Sequence, residues 1–320
     1  MIPFKSFLPM ASLALALPVA AQSRYPDRPV RVVVPFSSGG GTEVIGRPLV
    51  QSMADMLGQS LIIDNKPGAG TVIGSDLVAK SPPDGHTILM TTNALAINAS
   101  LMPKLPYDTL RDFAGITQIA AAPMLLTTHP ALPARNVREL IALAKAKPGE
   151  LSFGTSGNAG PQHLAGELFK TTAGIRMVHV PYKGSAPAIT DLIAGQTQLT
   201  FGSTFTVLPH AASGRLRALA VTTAKRVPAL QLPTIAEDGL PGYEATTWYG
   251  IFTVAATPAA VISKLNADIA RALRQPDVAD RLARDGSDAV SSEPAAFDAF
   301  VRNEIEKVRR IVKAAQMRLD

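Results

Sequence analysis

The chain runs to 320 residues, more than one ordinary domain needs, and a hydrophobic content of 47% is enough to fill two cores. Aromatic residues at 5% argue against a stacking surface for nucleic acid, and the net charge of +6 is spread without a lysine or arginine block, so it reads as general attraction for anions. The absence of cysteine excludes disulfides, thiolate metal sites, a cysteine nucleophile and a lipid-modified N-terminal cysteine.

The chain opens with Lys5, an apolar stretch rich in alanine and leucine over residues 7–19, and the small residues Val19-Ala20-Ala21 before Gln22. That is the pattern of a cleavable secretory signal. The apolar stretch is shorter than the roughly 20 residues of a spanning helix, and Pro9 and Pro18 interrupt it. Residues 1–21 are therefore read as a signal peptide cleaved near Ala21/Gln22, leaving a soluble chain outside the cytoplasm.

Residues 30–34 read as a buried strand, and Val44, Ile45, Leu49, Met53, Met56 and Leu57 follow at helical spacing. Between them lies Pro35-Phe36-Ser37-Ser38-Gly39-Gly40-Gly41-Thr42-Glu43, a strand-to-helix turn. Its glycines let backbone amides converge on one acceptor, the helix start adds about half a positive charge, and Ser37, Ser38 and Thr42 add hydroxyls. The turn is thus suited to an anion. It is no dinucleotide fingerprint, because the third glycine falls on Val44, and no GxxxxGK[ST] loop occurs. Pro48 is expected to loosen the helix near its start.

A second strand over 61–64 leads to Asn65-Lys66-Pro67-Gly68-Ala69-Gly70 and a helix over 73–80. Pro82-Pro83-Asp84-Gly85 is turn chemistry before a strand over 87–90, and Asn93 sits beyond its carboxyl end, where open α/β sheets collect ligands. Residues 113–128 are apolar with Pro123 in the middle, which reads as the crossing into a second lobe.

In that lobe a helix over 137–147 precedes a strand over 151–154, then Thr155-Ser156-Gly157-Asn158-Ala159-Gly160, then a helix begun by Pro161. Proline costs nothing in a first helical turn, so this is a second helix start open to an anion. Gly154-Thr155-Ser156-Gly157-Asn158 departs from the GxSxG nucleophile elbow at its last position, where Asn158 replaces glycine. Ser156 with His163 and Glu167 leaves a secreted serine hydrolase as the alternative reading. His86, His129, His163, His179 and His210 show no paired metal-ligand spacing, and no cofactor loop is read.

A strand over 177–180 exits through Pro181-Tyr182-Lys183-Gly184-Ser185, where Lys183 is either a ligand contact or a solvated loop lysine. A helix is expected from Pro187 to Ala194. A strand over 199–201 ends in Gly202-Ser203-Thr204, and another spans 216–221. The proline-rich passage 228–241 reads as irregular surface, and 248–254 as the return crossing. Two amphipathic helices end the chain, the first capped by Thr257 and the second by Ser292, with apolar stripes that should pack on the first lobe.

The order Pro35-Phe36 with Gly39-Gly40-Gly41, Asn65-Lys66-Pro67-Gly68-Ala69-Gly70, Pro82-Pro83-Asp84-Gly85, Ser156-Gly157-Asn158, His163-Leu164-Ala165-Gly166-Glu167-Leu168-Phe169, Val180-Pro181-Tyr182-Lys183-Gly184 and Pro233-Thr234-Ile235-Ala236-Glu237 resembles the Bug family. These are periplasmic solute receptors of tripartite tricarboxylate transporters. The resemblance implies an α/β fold of the two-lobed periplasmic-binding-protein (Venus flytrap, type II) class, each lobe a mixed sheet flanked by helices. The expected division is 22–122 plus 247–320 for one lobe and 123–246 for the other. It further implies a receptor rather than an enzyme, a monomer that holds a small organic acid (di- or tricarboxylate, amino acid or aromatic acid) and delivers it to a membrane permease. A periplasmic sensor that signals its closed state is the other non-enzymatic reading. In relatives the carboxylate lies between two strand-to-helix loops. The ligand-binding residues expected here are Phe36, Ser37, Gly39, Gly40, Gly41, Thr42, Asn93, Thr155, Ser156, Gly157, Asn158, Ser203 and Thr204. Glu43 departs from the family's usual aspartate.

Overall fold

Strand β1 (Val30–Val34) is almost wholly valine and almost wholly buried, as a strand inside a parallel sheet must be. The computed structural model describes residues 25–102, 104–284 and 286–314; the stretch read as a secretory signal lies outside them. From β1 the chain turns into α1 (Gly41–Leu57), returns as β2 (Leu61–Asn65), crosses through α2 (Val72–Ala79) and enters β3 (Thr87–Thr92). β2 and β3 flank β1, both parallel to it. The expected loosening at Pro48 is not found: α1 runs unbroken past it to Gly58, because buried Ile45, Leu49 and Met53 hold the helix on the sheet. After β3 come α3 (Ala94–Leu101), α4 (Thr109–Asp112) and the sixteen-residue strand β4 (Phe113–Thr128).

β4 links two parts of one sheet. The chain continues through α5 (Val137–Ala146), β5 (Ser152–Thr155), α6 (Pro161–Ala173), β6 (Val178–Pro181), α7 (Ser185–Ile193), β7 (Leu199–Ser203), α8 (Thr204–Ala212) and β8 (Arg217–Val221), then β9 (Thr246–Val254), α9 (Ala259–Leu273), α10 (Pro276–Arg284), β10 (Asp288–Ala289) and α11 (Pro294–Ala314). The strand order is β2-β1-β3-β9-β4-β7-β5-β6, with β8 and β10 also on β4. Up to Pro123, β4 pairs antiparallel with β9; from Met124 onward it pairs with β7 and β8. Proline has no N–H to give a ladder, so it sits where the strand changes partners.

Two lobes follow from this changeover. On one side Val32, Ile45, Leu49 and Met90 pack with Leu265 and Ile269 of α9, while Val33 and Leu89 pack with Phe297, Val301 and Ile305 of α11. On the other, Met124, Phe153, Phe169, Phe201 and Tyr243 form a separate core. Each fully buried leucine, isoleucine or phenylalanine contributes about 1.5–3 kcal/mol.

Several local expectations are corrected. α3, α8 and α10 were not foreseen, and α7 starts at Ser185 rather than at Pro187. The passage 228–241 is irregular yet not merely surface, since Thr234, Ile235 and Leu240 are buried. Thr257 does not cap α9; its hydroxyl meets that of Thr253 at 3.0 Å. Ser292 does not cap α11 either. Its Oγ accepts from the Gln118 amide and its own amide donates to Thr117 Oγ1, which fastens the segment to β4.

Candidate functional site

Four helices begin at one place. Gly41 opens α1, Pro161 opens α6, Ser185 opens α7, and Ser203 directly precedes α8. These residues line a cavity of ≈ 30 Å³ together with Phe36, Gly40, Thr42, Thr92, Met124, Ser156, Gln162, Thr247 and Tyr249. No charged side chain is among them. Each helix start carries about half a positive charge and unpaired N–H groups, so the cavity is positive through peptide dipoles alone. It also has a ring of hydroxyls.

The wall is held in place from behind. Gln162 Oε1 accepts from the Ser156 amide at 2.5 Å and its Nε2 donates to Ser185 Oγ at 3.3 Å, so one side chain joins two of the helix starts. Ser203 Oγ lies 3.1 Å from Tyr249 OH. Burial pushes the Tyr249 phenol up to about 12 against the opposing bond from Ser203, which keeps it a proton donor at any physiological pH. Gly41 has no room for a side chain: a Cβ there would lie 2.9 Å from Ser203 Oγ and 3.1 Å from Tyr249 OH.

Glu43 braces the glycine turn. It is 2% exposed, and its Oε2 accepts from the Gly39 amide at 2.7 Å while Arg47 pairs with Oε1. Burial pushes its carboxyl up, but bonds from Ser38, Gly39 and Arg47 outweigh this and hold it below the usual carboxylate range.

The two lobes touch at two places. The Ser37 amide donates to the Lys183 carbonyl at 3.1 Å, and Gly184, at φ 143°, leaves space that Ser37 occupies. A Cβ on Gly70 would lie 2.6 Å from the Asn158 carbonyl oxygen. Contacts this close describe a closed form.

Of the residues expected from sequence, Phe36, Gly40, Gly41, Thr42, Ser156 and Ser203 are brought together on this wall. The others are elsewhere. Ser37 is taken up by the contact with Gly184, and Gly39 lines a different groove with Ala186 and Phe205. Asn93 donates to the backbone of Thr246 and Trp248, pinning β9. Thr155 turns inward to His179 Nε2 at 2.7 Å and the Gly157 carbonyl. Gly157 and Asn158 line a neighbouring cavity, and Thr204 is buried behind Ser203. Lys183 gives its carbonyl, not its ammonium, to the lobe contact.

Thr92, Met124, Pro161, Gln162, Ser185, Thr247 and Tyr249 were missed. Thr247 and Tyr249 are two apart on β9 and so share a face, a periodicity that could have flagged them. The hydrolase constellation gains no support. His163 Nδ1 accepts from the Ala159 amide, its Nε2 faces Glu167 at 3.8 Å, and its ring stacks on His179 at 3.9 Å. His179 is held neutral, its pKa pushed down to about 3 by burial and then by His163 and Lys170.

Two α/β lobes sharing a long strand, with an uncharged cavity where helices begin between them, define a two-lobed solute-binding protein. The family described as "Tripartite tricarboxylate transporter family receptor" matches residues 45–317, and the chain belongs to that family. It is similar to BugT of Bordetella pertussis, 36% identical over 315 residues that cover 97% of this chain and 96% of the relative. A UPF0065 protein of a Pseudomonas species is 36% identical over 310 residues, 95% of this chain and 92% of that protein. Among solved structures, R. palustris Rpa4515 with adipate is 37% identical at a TM-score of 0.88, covering 91% of this chain and 98% of that one. The periplasmic binding protein BugD is 33% identical at a TM-score of 0.89, over 92% of this chain and 99% of that one. MatC from Rhodopseudomonas palustris with bound malate is 30% identical at 0.86, over 90% and 100%.

Proposed function

We propose that this receptor closes its lobes on the carboxylate of a small organic acid, held at the convergent helix starts, and delivers it in the periplasm to a membrane permease. The observation that carries the reading is the uncharged cavity where the helix starts at Gly41, Pro161, Ser185 and Ser203 meet the hydroxyls of Thr42, Ser156, Ser185, Ser203 and Tyr249. Relatives solved with adipate and malate support it. The moving bodies are residues 22–122 with 247–320 and residues 123–246, hinged where β4 and β9 pass between them. The protein performs no chemistry on its ligand. A hydrogen bond to a charged group contributes about 1.5–3 kcal/mol, so four or five of them support micromolar binding, about 8 kcal/mol, after ordering costs.

A thermal-shift panel of organic acids, followed by calorimetry on Ser156→Ala and Ser203→Ala, tests the site. Each variant is expected to weaken the best acid about 10-fold with little change in apo stability. Unchanged affinity in both variants, or turnover of the acid, overturns the reading. Loss of uptake in a deletion strain separates transport from sensing.

A further inference from the structure

Gln162 is 4% exposed and sits in the first turn of α6, on the wall of the cavity, with both ends of its amide engaged. One partner is the Ser156 backbone N–H, a group that can only donate, so the side-chain oxygen must face it, as it does at 2.5 Å. That fixes the other end. The NH2 of Gln162 points at Ser185 Oγ, 3.3 Å away, and the serine oxygen is the acceptor. A hydroxyl has one proton to give, and no other hydrogen bond of the Ser185 hydroxyl is found among the described residues. Ser185 opens α7 and lines the cavity, so its proton is left for an acceptor placed there.

The three groups form a directed chain, from the Ser156 N–H through Gln162 to the Ser185 hydroxyl, that runs between two helix starts and ends as a donor into the cavity. Each bond polarises the next. The other hydroxyl pair of the wall is not directed in this way: between Ser203 Oγ and Tyr249 OH, 3.1 Å apart, either can donate. Helix dipoles favour a negative charge, but they do not set which way a hydroxyl points. Resting on the receptor reading above, we infer that Gln162 is a positioning residue that determines specificity. It holds the Ser185 hydroxyl as a donor, so this corner of the site takes a carboxylate and rejects a group that must itself donate, such as a carboxamide NH2. An N–H placed there would face a proton and stay unpaired. The chain also takes up the Ser156 amide, so that loop meets the ligand through the Ser156 hydroxyl rather than through its N–H.

The test turns the chain round at one atom. Gln162→Glu keeps an oxygen for the Ser156 amide but replaces the NH2 by a second acceptor, so the Ser185 proton swings to it and away from the ligand. The added charge acts whether or not residue 185 carries a hydroxyl, and a double-mutant cycle with Ser185→Ala separates the two effects. Calorimetry at pH 8.5, where a carboxylate is ionised, is run on the full mature protein, both single variants and the double variant. The probe is the tightest-binding member of a panel of acetate, hexanoate, succinate, adipate, malate and benzoate. Gln162→Glu is expected to weaken binding by at least about 10-fold more with Ser185 in place than in the Ser185→Ala background. Melting temperatures verify folding. If Gln162→Glu does not fold, Gln162→Met, which deletes the chain without adding a charge, enters the same cycle with an expected coupling of about 3-fold. Additive losses overturn the role of Gln162 and leave the receptor reading standing. Failure of the unsubstituted protein to bind any acid of the panel overturns both.

Discussion

Glu43 stands where the resembled family carries aspartate, and its longer side chain reaches back around the glycine turn to the Gly39 amide. The folded carboxyl is more acidic than an unfolded one, so it contributes stability that is complete above the ordinary carboxylate pKa and lost as pH falls through the lower folded value. Glu43→Gln is expected to cost about 1–2 kcal/mol at pH 7 and much less at pH 3, checked by urea unfolding at both. A cost that is equal at the two pH values would show that shape, not charge, braces the turn. The turn itself was legible, because consecutive glycines after a valine run announce it. What Glu43 does was not, since nothing in the spacing says whether the carboxylate points to solvent or back at Gly39.

Helix starts are the elements that make the cavity, and two of the four were plain from punctuation: Gly39-Gly40-Gly41 before α1 and Gly160-Pro161 at α6. α7 begins two residues before the start that Pro187 signals, at Ser185. α8 was invisible, for Pro209 lies within it and its buried Phe205 and Val207 give no clean helical stripe. α3 is hidden for a related reason: Leu95, Ala96 and Ile97 are all buried, so no polar face sets a period. Gly41→Val tests the convergence. The added side chain meets Ser203 and Tyr249, so acid affinity is expected to fall at least 100-fold in calorimetry while the circular dichroism spectrum is retained.

At the scale of the molecule, Pro123 marked the crossing between lobes in the sequence, and β4 does change partners there. The close approach of Gly70 to Asn158 was not readable, because it pairs residues far apart in the chain through the closed arrangement of the lobes. Gly70 has φ 61°, a conformation that Asn tolerates better than most residues, so Gly70→Asn adds bulk with the least backbone strain. It is expected to prop the lobes apart, giving a larger radius of gyration by X-ray scattering with saturating acid and about 10-fold weaker binding. A normal compaction on binding would place the contact outside the closing motion.

The cavity proposed for the carboxylate has no ionisable group near its titration range on its wall: its polar groups are amides, an amide side chain, aliphatic hydroxyls and a phenol held near 12. Loading it therefore neither releases hydrogen ions to the medium nor takes them up around neutrality. The heat of binding should then be the same in phosphate and in Tris at pH 7.5, buffers of very different ionisation enthalpy, and cargo handover needs no local acidification to loosen the grip.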